Sequence, residues 1–205
     1  APFAVTQRPL HQPTPGKDEI ALLEPFERLA PSHVHLVATA AQAQAASDAL
    51  RRHRVWGFDT ESKPTFAKEQ VSDGPHTVQL AITSDAWVFQ LHDPQCRTIV
   101  AQLLASPEHL KAGFGLGDDR KRIIAKLGVT PEGVVELNTV FRERGYRKDM
   151  GVKAAVAVLF HRRFLKSKKA ATSNWAAPRL SESQLAYAAN DAWAALRVYQ
   201  ALGLE

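Results

Sequence analysis

Two acidic side chains, Asp59 and Glu61, stand at the end of the apolar segment VWGF. Side chains alternate between the two faces of a strand, so we expect both carboxylates on one face and Trp56 and Phe58 on the other. Neighbouring carboxylates repel each other unless a cation lies between them. Oxygen-rich clusters of this kind suit Mg²⁺ or Mn²⁺. Taken alone, the D-x-E tripeptide favours the alternative of a strand that simply ends in solvent.

A second acidic pair, Asp118 and Asp119, follows the glycine-rich segment Gly113–Gly117. The spacing excludes a dinucleotide-binding fingerprint, because its third glycine would fall on Asp118. We expect Asp118 to cap the helix that starts here, since the exposed amides of a helix start favour a carboxylate. Asp119 lies four residues before Ile123 and eight before Leu127, on the inward stripe of that helix. An inward carboxylate needs a partner, which a metal at the sheet edge would supply.

A further acidic residue, Asp191, lies in a helix whose start the sequence determines well. Ser181 and Gln184 form a capping box at that start. Within the helix, Tyr187 and Asp191 are one turn apart and therefore share a face. Taken alone, each of the two fits an ordinary role better, Tyr187 as a core tyrosine and Asp191 as a solvated charge.

The three acidic segments together resemble the motifs of the DEDD family of 3′–5′ exonucleases, in particular its ribonuclease D and Werner-type branch. The segments are FDTE at Phe58–Glu61, KAGFGLGDD at Lys111–Asp119 and YAAND at Tyr187–Asp191. The tyrosine four residues before the last aspartate indicates the Y subtype, since the H subtype has histidine at the position of Ala186. Asn138 stands where many relatives carry aspartate, and we expect it to be structural. The resemblance covers roughly residues 33–204.

The resemblance implies a site that hydrolyses nucleic acid from its 3′ end and releases nucleoside 5′-monophosphates. Asp59 would bridge two divalent cations, Mg²⁺ or Mn²⁺, and Glu61 and Asp191 would complete the site for one of them. Asp119 would hold the second cation, and Tyr187 would orient the attacking water. Two metal ions about 3.5–4 Å apart can stabilise both the attacking and the leaving oxygen. Tyrosine is a poor base at neutral pH because its ordinary pKa is about 10.

The segment between Tyr146 and Leu180 is strongly basic and contains one acid, Asp149. We expect it to contact the phosphates of a single strand or a 3′ overhang, of DNA or RNA, and a solvated basic loop is the alternative. Phe114 and Trp175 are candidates to stack terminal bases, with core packing as the alternative for each. The candidate nucleic-acid contacts are Arg162, Arg163, Lys166, Lys168 and Lys169, and the other basic residues are Arg147, Lys148, Lys153 and Arg179.

The hydrophobic pattern predicts a proline-rich arm over residues 1–32 and an α/β domain over residues 33–205. Three meandering strands, the last two joined as a hairpin, are followed by strand–helix alternation. This order predicts a mixed sheet of five to six strands flanked by helices, which the resemblance implies is ribonuclease H-like. In the arm we expect one helical turn near Glu24–Leu29.

Composition excludes several classes of protein. Of the 205 residues, 45% are hydrophobic and 23% are charged, which excludes a wholly disordered chain and a collagen. No run approaches the roughly 18 apolar residues of a membrane-spanning helix, and we find no secretion signal. The single cysteine, Cys96, excludes a disulfide scaffold and favours a reducing, cytoplasmic location. The net charge of +5 modestly favours polyanionic partners.

Three functions compete on these observations. The four motif carboxylates and Tyr187 favour an active, metal-dependent exonuclease. The alternative is a catalytically weak nucleic-acid-binding module of the same fold, which would typically lack metal ligands. A nucleotide-binding oxidoreductase is disfavoured by the glycine spacing. The sequence predicts no membrane partner, and it leaves open both the choice between DNA and RNA and the oligomeric state.

Overall fold

A mixed sheet of six strands runs through the domain. The computed structural model describes residues 12–146 and 149–204, so part of the predicted arm, together with Arg147, Lys148 and Glu205, lies outside the described residues. The strands are β1 Val34–Val37, β2 Val55–Glu61, β3 Thr77–Ala81, β4 Ala86–Gln90, β5 Leu110–Gly113 and β6 Val134–Glu136. Their order across the sheet is β1-β4-β3-β2-β5-β6.

Strand β2 lies inside the sheet and has neighbours of both directions. It pairs antiparallel with β3 and parallel with β5. Strands β3 and β4 form the predicted antiparallel hairpin. Strands β1 and β6 lie at the two edges, each parallel to its neighbour. The sheet is therefore mixed, as the order of elements along the sequence predicted.

The described residues form eight α-helices, which cover both faces of the sheet. They are α1 Lys17–Ala21, α2 Ala40–Leu50, α3 Pro94–Ala105, α4 Gly117–Leu127, α5 Leu137–Glu143, α6 Gly151–Phe160, α7 Lys168–Ala171 and α8 Glu182–Ala201. Trp56 and Phe58 lie in a core with α2, α3 and α4 on one face. Helices α6 and α8 build the core of the other face. None of the helices in the described ranges is both long and apolar enough to cross a lipid bilayer.

The segment after α1 packs on the domain in an extended conformation. The predicted helical turn near Glu24–Leu29 is wrong, because α1 ends before this segment begins. The amide of Phe26 donates to the carbonyl of Arg163 at 2.9 Å, and the amide of Arg163 donates to the carbonyl of Glu24 at 2.8 Å. Backbone groups that a helical turn would use locally are therefore paired with a distant part of the chain. The side chain of Phe26 is buried.

Asn138 fixes the start of α6. Its Oδ1 accepts hydrogen bonds from the amides of Met150 and Gly151, at 2.9 and 3.1 Å. The first amides of a helix have no partner within the helix, so a side-chain acceptor at this point stabilises the helix start. The expected structural role of Asn138 is confirmed.

Helix α8 crosses β2 at unusually short range because one strand position has no side chain. A Cβ built on Gly57 would lie 1.9 Å from the carbonyl oxygen of Ala192 and 3.0 Å from Cβ of Leu196. The contacting surface of α8 also consists of small, fully buried side chains, including Ala188, Ala189 and Ala192. Small residues on both sides let the helix backbone lie almost directly on the strand. The residue beside Ala192, Asp191, is thereby brought to the end of β2.

This close approach makes a specific prediction for stability. Gly57→Ala must push α8 away from the sheet, and overpacking of a core typically costs about 1–3 kcal/mol. We expect a clearly lower melting temperature by circular dichroism. Gly117→Ala is the matched control, because a Cβ at Gly117 would meet no atom within 4 Å. A Gly57→Ala protein that melts at the temperature of the control would contradict the close approach.

Candidate active site

Three carboxylates meet where the end of β2 lies against α8. Asp59 and Glu61 come from β2 and Asp191 comes from α8, and one oxygen of each lies within 4.8 Å of the others. Strand alternation places the first two on the face that α8 covers. The close approach at Gly57 brings the third against them. The structure thus joins three of the four carboxylates that the sequence singled out.

The surroundings of these carboxylates oppose their negative charge. Burial, and then the charges of Asp191 and Glu61, raises the pKa of Asp59 well above its usual range. Burial and then Asp191 raise the pKa of Glu61 to about 8. Oδ2 of Asp59 is buried and has no hydrogen-bond partner among the described residues. A cation fits such an oxygen, because it satisfies the lone pairs and offsets the repulsion between the carboxylates.

Lys166 extends into this cluster from the loop between α6 and α7. Its Nζ lies 3.4 Å from Oδ2 of Asp191, and 33% of its side chain is exposed. Burial by itself would lower the pKa of Lys166, but the charges of Asp191 and Asp59 outweigh it and raise that pKa. The ammonium group therefore offsets part of the negative charge. Sequence reasoning missed this placement, because a loop residue has no periodicity that would predict where its side chain points.

Asp119, the fourth carboxylate, borders the cluster without belonging to it. It sits in the first turn of α4, where it accepts a hydrogen bond from the side chain of Thr60 on β2, and burial raises its pKa. After burial and Asp191, its charge also raises the pKa of Glu61. Asp118 is exposed. Of the acidic pair, Asp119 is therefore the member that faces the strand, in agreement with the inward stripe of the helix.

A neighbouring strand holds the turn that precedes the helix that carries Asp119. The expectation that Asp118 caps it is wrong, because α4 begins at Gly117 and Leu116 occupies the cap position. The helix has no side-chain cap, and the carboxylate of Glu136 binds the turn just before it, where it accepts hydrogen bonds from the amides of Gly115 and Leu116 at 3.1 and 2.8 Å. Glu136 reaches them because β5 and β6 are adjacent and parallel, so that both strands end at one edge of the sheet.

Tyr187 lies one turn before Asp191 on α8 and is almost fully buried. Its ring packs against Trp175, with 5.9 Å between centroids, and Nζ of Lys166 lies 5.7 Å from its centroid. Burial, and then the charges of Glu61 and Asp191, raises the pKa of Tyr187 well above its ordinary value. The phenol therefore stays protonated at neutral pH. It can donate or accept a hydrogen bond but cannot serve as a base there.

The two aromatic candidates for base stacking differ in their surroundings. Trp175 is 1% exposed, and its indole nitrogen donates to the carbonyl of Ala171. Trp175 therefore packs in the core and is not placed to stack on a base. Phe114 is partly buried and lines a small cavity of about 110 Å³ together with Asp59 and Asp191. Of the two stacking candidates, Phe114 is therefore the one that lies beside the carboxylates.

The five candidate nucleic-acid contacts occupy different positions around α8. Arg163 and Lys166 line one cavity beside Tyr187. Arg162 is exposed, and its guanidinium donates to the carbonyl of the preceding residue at 3.1 Å. Lys168 and Lys169 are exposed on α7. Contact of these five residues with nucleic acid stays a prediction.

Comparison with known proteins places this arrangement in a family. The family model for the 3′–5′ exonuclease matches residues 34–205. A 3′–5′ exonuclease of Arabidopsis thaliana is 28% identical over 151 residues, which cover 71% of this chain and 51% of that protein. The bifunctional 3′–5′ exonuclease/ATP-dependent helicase WRN of Mus musculus is 31% identical over 155 residues, 73% of this chain. The chain spans about half of the Arabidopsis protein and 11% of the mouse protein.

A solved structure shares the fold. Trypanosoma brucei RNase D, in its complex with RNA U12, superposes with a TM-score of 0.73 at 20% identity over 85% of this chain and 65% of its own. The expected ribonuclease H-like architecture is confirmed by this similarity and by the mixed six-stranded sheet. The match of the family model over residues 34–205 shows that this chain belongs to the 3′–5′ exonuclease family and carries its exonuclease domain.

Proposed function

We propose that this chain is an active, metal-dependent exonuclease that shortens nucleic acid from the 3′ end. The observation that carries the proposal is the cluster of Asp59, Glu61 and Asp191, in which a buried oxygen of Asp59 lacks a partner among the described residues. A binding module would not need three partly buried carboxylates that destabilise one another. A site for divalent cations does need them.

The residues present fit two divalent cations, Mg²⁺ or Mn²⁺. Asp59, Glu61 and Asp191 would hold them, with Asp119 contributing from the border of the cluster. When bound, such cations would supply Lewis-acid stabilisation of the charge that develops on the phosphate. The carboxylates supply oxygen ligands, which Mg²⁺ and Mn²⁺ prefer in proteins.

In the proposed reaction a water attacks the terminal phosphodiester at phosphorus. The bond between phosphorus and the 3′-oxygen of the preceding nucleotide breaks, and a nucleoside 5′-monophosphate is released. Of the two protons of the water, one ends on the leaving 3′-oxygen, which becomes a hydroxyl, and the other passes to solvent. The role of Tyr187 is to orient the water by a hydrogen bond, since its protonated phenol is unable to take the proton at neutral pH. The packing of its ring against Trp175 fixes the position of the hydroxyl.

The proposed substrate is a single strand or a 3′ overhang, with RNA and DNA as alternatives. The family match and the basic loop around Arg163 support a polyanionic substrate. The T. brucei RNase D structure holds RNA. The mouse relative is an exonuclease joined to a helicase. Parallel digestion of RNA and DNA strands of equal sequence decides between the two polymers.

One prediction of the proposed function concerns the carboxylate cluster. Asp59→Asn should lower kcat by roughly 10³-fold, because several kcal/mol of charge stabilisation is lost at the phosphate. The assay is a time course on 5′-labelled single strands with Mg²⁺, Mn²⁺ or EDTA, in which the wild type should give a metal-dependent ladder that shortens from the 3′ end.

The matched control for Asp59→Asn is Asp118→Asn, which changes an exposed carboxylate of the second acidic segment and should keep wild-type activity. Near-wild-type turnover by Asp59→Asn would contradict the assignment of the site. If the wild type binds both polymers but cleaves neither, the protein is the weak binding module instead.

A second prediction concerns Lys166, whose ammonium group competes with a divalent cation for Asp191. Lys166→Ala should lower the Mg²⁺ concentration for half-maximal activity by about two- to fivefold, the range expected for removal of a partly exposed ion pair. It should also raise KM for an oligonucleotide. In the wild type, a cation bound to Asp191 would free the ammonium group of Lys166, and we propose that this group then binds substrate phosphate.

Lys168→Ala, in the exposed helix α7, is the control for the Lys166 variant and should keep the wild-type Mg²⁺ dependence. The two titrations are run at one ionic strength, because salt screens both the ion pair and the binding of the oligonucleotide. Equal Mg²⁺ dependence of Lys166→Ala and the wild type would show that the ammonium does not compete with the cation.

A further inference from the structure

A basic cavity of about 740 Å³ adjoins the carboxylate cluster. It lies between α1, α6, the loop that follows α6 and the start of α8. Its volume is within the range of about 300–1,000 Å³ that is typical of ligand sites. Among the described residues that line it there is no aspartate or glutamate. The cationic side chains that line it are Lys17, Arg28, Lys153, Arg163 and Lys166.

Part of this cavity is built by a segment that precedes the matched residues 34–205. Lys17 and Arg28 belong to that segment, as does the aliphatic side chain of Ile20. The segment is the N-terminal wall of the cavity, and we define it as residues 17–28. Nothing in the resemblance to the exonuclease motifs involves these residues, because the motifs begin at Phe58.

Hydrogen bonds hold the N-terminal wall in place. Besides the two backbone bonds between Arg163 and the wall, the guanidinium of Arg163 donates to the carbonyl of Leu23 at 3.4 Å. Just beyond the wall, the amide of Leu29 donates to Oδ1 of Asn190 at 2.8 Å. Asn190 is the neighbour of Asp191, so the wall is tied both to the loop that carries Lys166 and to the helix that carries the site.

The cavity is continuous with the site through two shared side chains. Lys166 lines the cavity and forms the ion pair with Asp191. Tyr187 lines the cavity and lies one helical turn from Asp191. A ligand in the cavity is therefore adjacent to the carboxylates.

The cavity is lined by positive side chains, whereas the adjacent cluster consists of carboxylates. A cluster of carboxylates repels the phosphates of a nucleic acid, so a strand that places its 3′ end there needs positive charge along its approach. Among the lining cations, Lys166 forms an ion pair with Asp191, whereas within the described ranges the other four form no ion pair within 4 Å. Those four remain available to phosphate groups.

We propose that this cavity binds the phosphates of the substrate strand next to the scissile bond. The N-terminal wall contributes through Lys17 and Arg28, which line the cavity, whereas its four acids, Asp18, Glu19, Glu24 and Glu27, do not line it. The identity of the ligand rests on the proposed function. Lys17 and Arg28 bind from one side, and Lys153 and Arg163 bind from the other. The binding is to backbone phosphate and carries no preference for base sequence.

The test uses the full chain with Lys17→Glu and Arg28→Glu combined. The probes are 5′-fluorescein-labelled oligo(dT) and oligo(U) of twenty nucleotides, and binding is measured by fluorescence anisotropy in EDTA across a salt series. We expect affinity to fall about tenfold. The slope of log K against log salt should fall by about 1.4, since each phosphate that the protein no longer neutralises accounts for about 0.7. Both side chains are exposed, so the melting temperature should stay unchanged.

The control carries the same change in charge at the opposite end of β2. Arg52 and Arg54 precede that strand, whereas Asp59 and Glu61 lie at its end, and both arginines are exposed. Arg52→Glu combined with Arg54→Glu should bind the probes within about twofold of the wild type, because net charge alone acts weakly at a distance beyond the screening length.

The outcomes separate this inference from the proposed function. If the wild type cleaves the oligonucleotides and the Lys17/Arg28 variant binds and cleaves them equally well, the inference is wrong and the exonuclease stands. If the wild type binds without cleaving and the variant loses affinity, the inference stands and the exonuclease is wrong. The inference is also wrong if the wild type binds neither probe, or if polyglutamate of equal charge displaces the probes as well as an unlabelled oligonucleotide does.

Discussion

The close approach of α8 to β2 at Gly57 is the constraint on which the rest of the site depends. A side chain at Gly57 would collide with the backbone of Ala192, so the helix reaches its position only because that side chain is absent. The stripe of alanines on α8 continues the same fit along the helix. Asp191 is carried by this helix, and its distance from Asp59 follows from how closely the helix lies on the strand.

The same packing forces an electrostatic conflict into the domain. Contacts between uncharged residues of β2 and α8 hold three carboxylates together, and burial raises the pKa of Asp59 and Glu61. Lys166 reduces the conflict from one side, and the orphaned oxygen of Asp59 shows that it is not fully resolved. Strain of this kind at one point of an otherwise consistent fold is typical of a functional site. The core on both faces of the sheet supplies the stability that tolerates it.

Local periodicity was sufficient to predict the parts of the site that lie on regular elements. Alternation along β2 placed Asp59 and Glu61 on one face, and helical spacing separated inward Asp119 from exposed Asp118. The capping box of Ser181 and Gln184 also forms as predicted. Each of these follows from spacing within a single element. The family resemblance indicated that the separate acidic segments form one site.

The remaining features depend on interactions between distant segments, which local spacing does not encode. The turn before α4 is held by Glu136 on a neighbouring strand. Lys166 enters the cluster from a loop, and Arg163 replaces the local partners that a turn near Glu24 would have used. In the sequence, Gly57 indicates only a strand position without a side chain to pack. The contact of α8 with this position explains why a side chain is absent there.

The central claim is that packing holds three carboxylates together and that a bound cation is needed to offset their repulsion. Thermal unfolding with Mn²⁺ or EDTA at pH 8, for the wild type and for Asp59→Asn, tests it directly. Saturating Mn²⁺ should raise the melting temperature of the wild type by about 5–10 °C, as expected for a ligand at about 100 times its Kd. In EDTA, Asp59→Asn should melt at or above the wild type and should respond little to Mn²⁺. A wild type that melts at one temperature in Mn²⁺ and in EDTA, and above Asp59→Asn in both, would contradict the account.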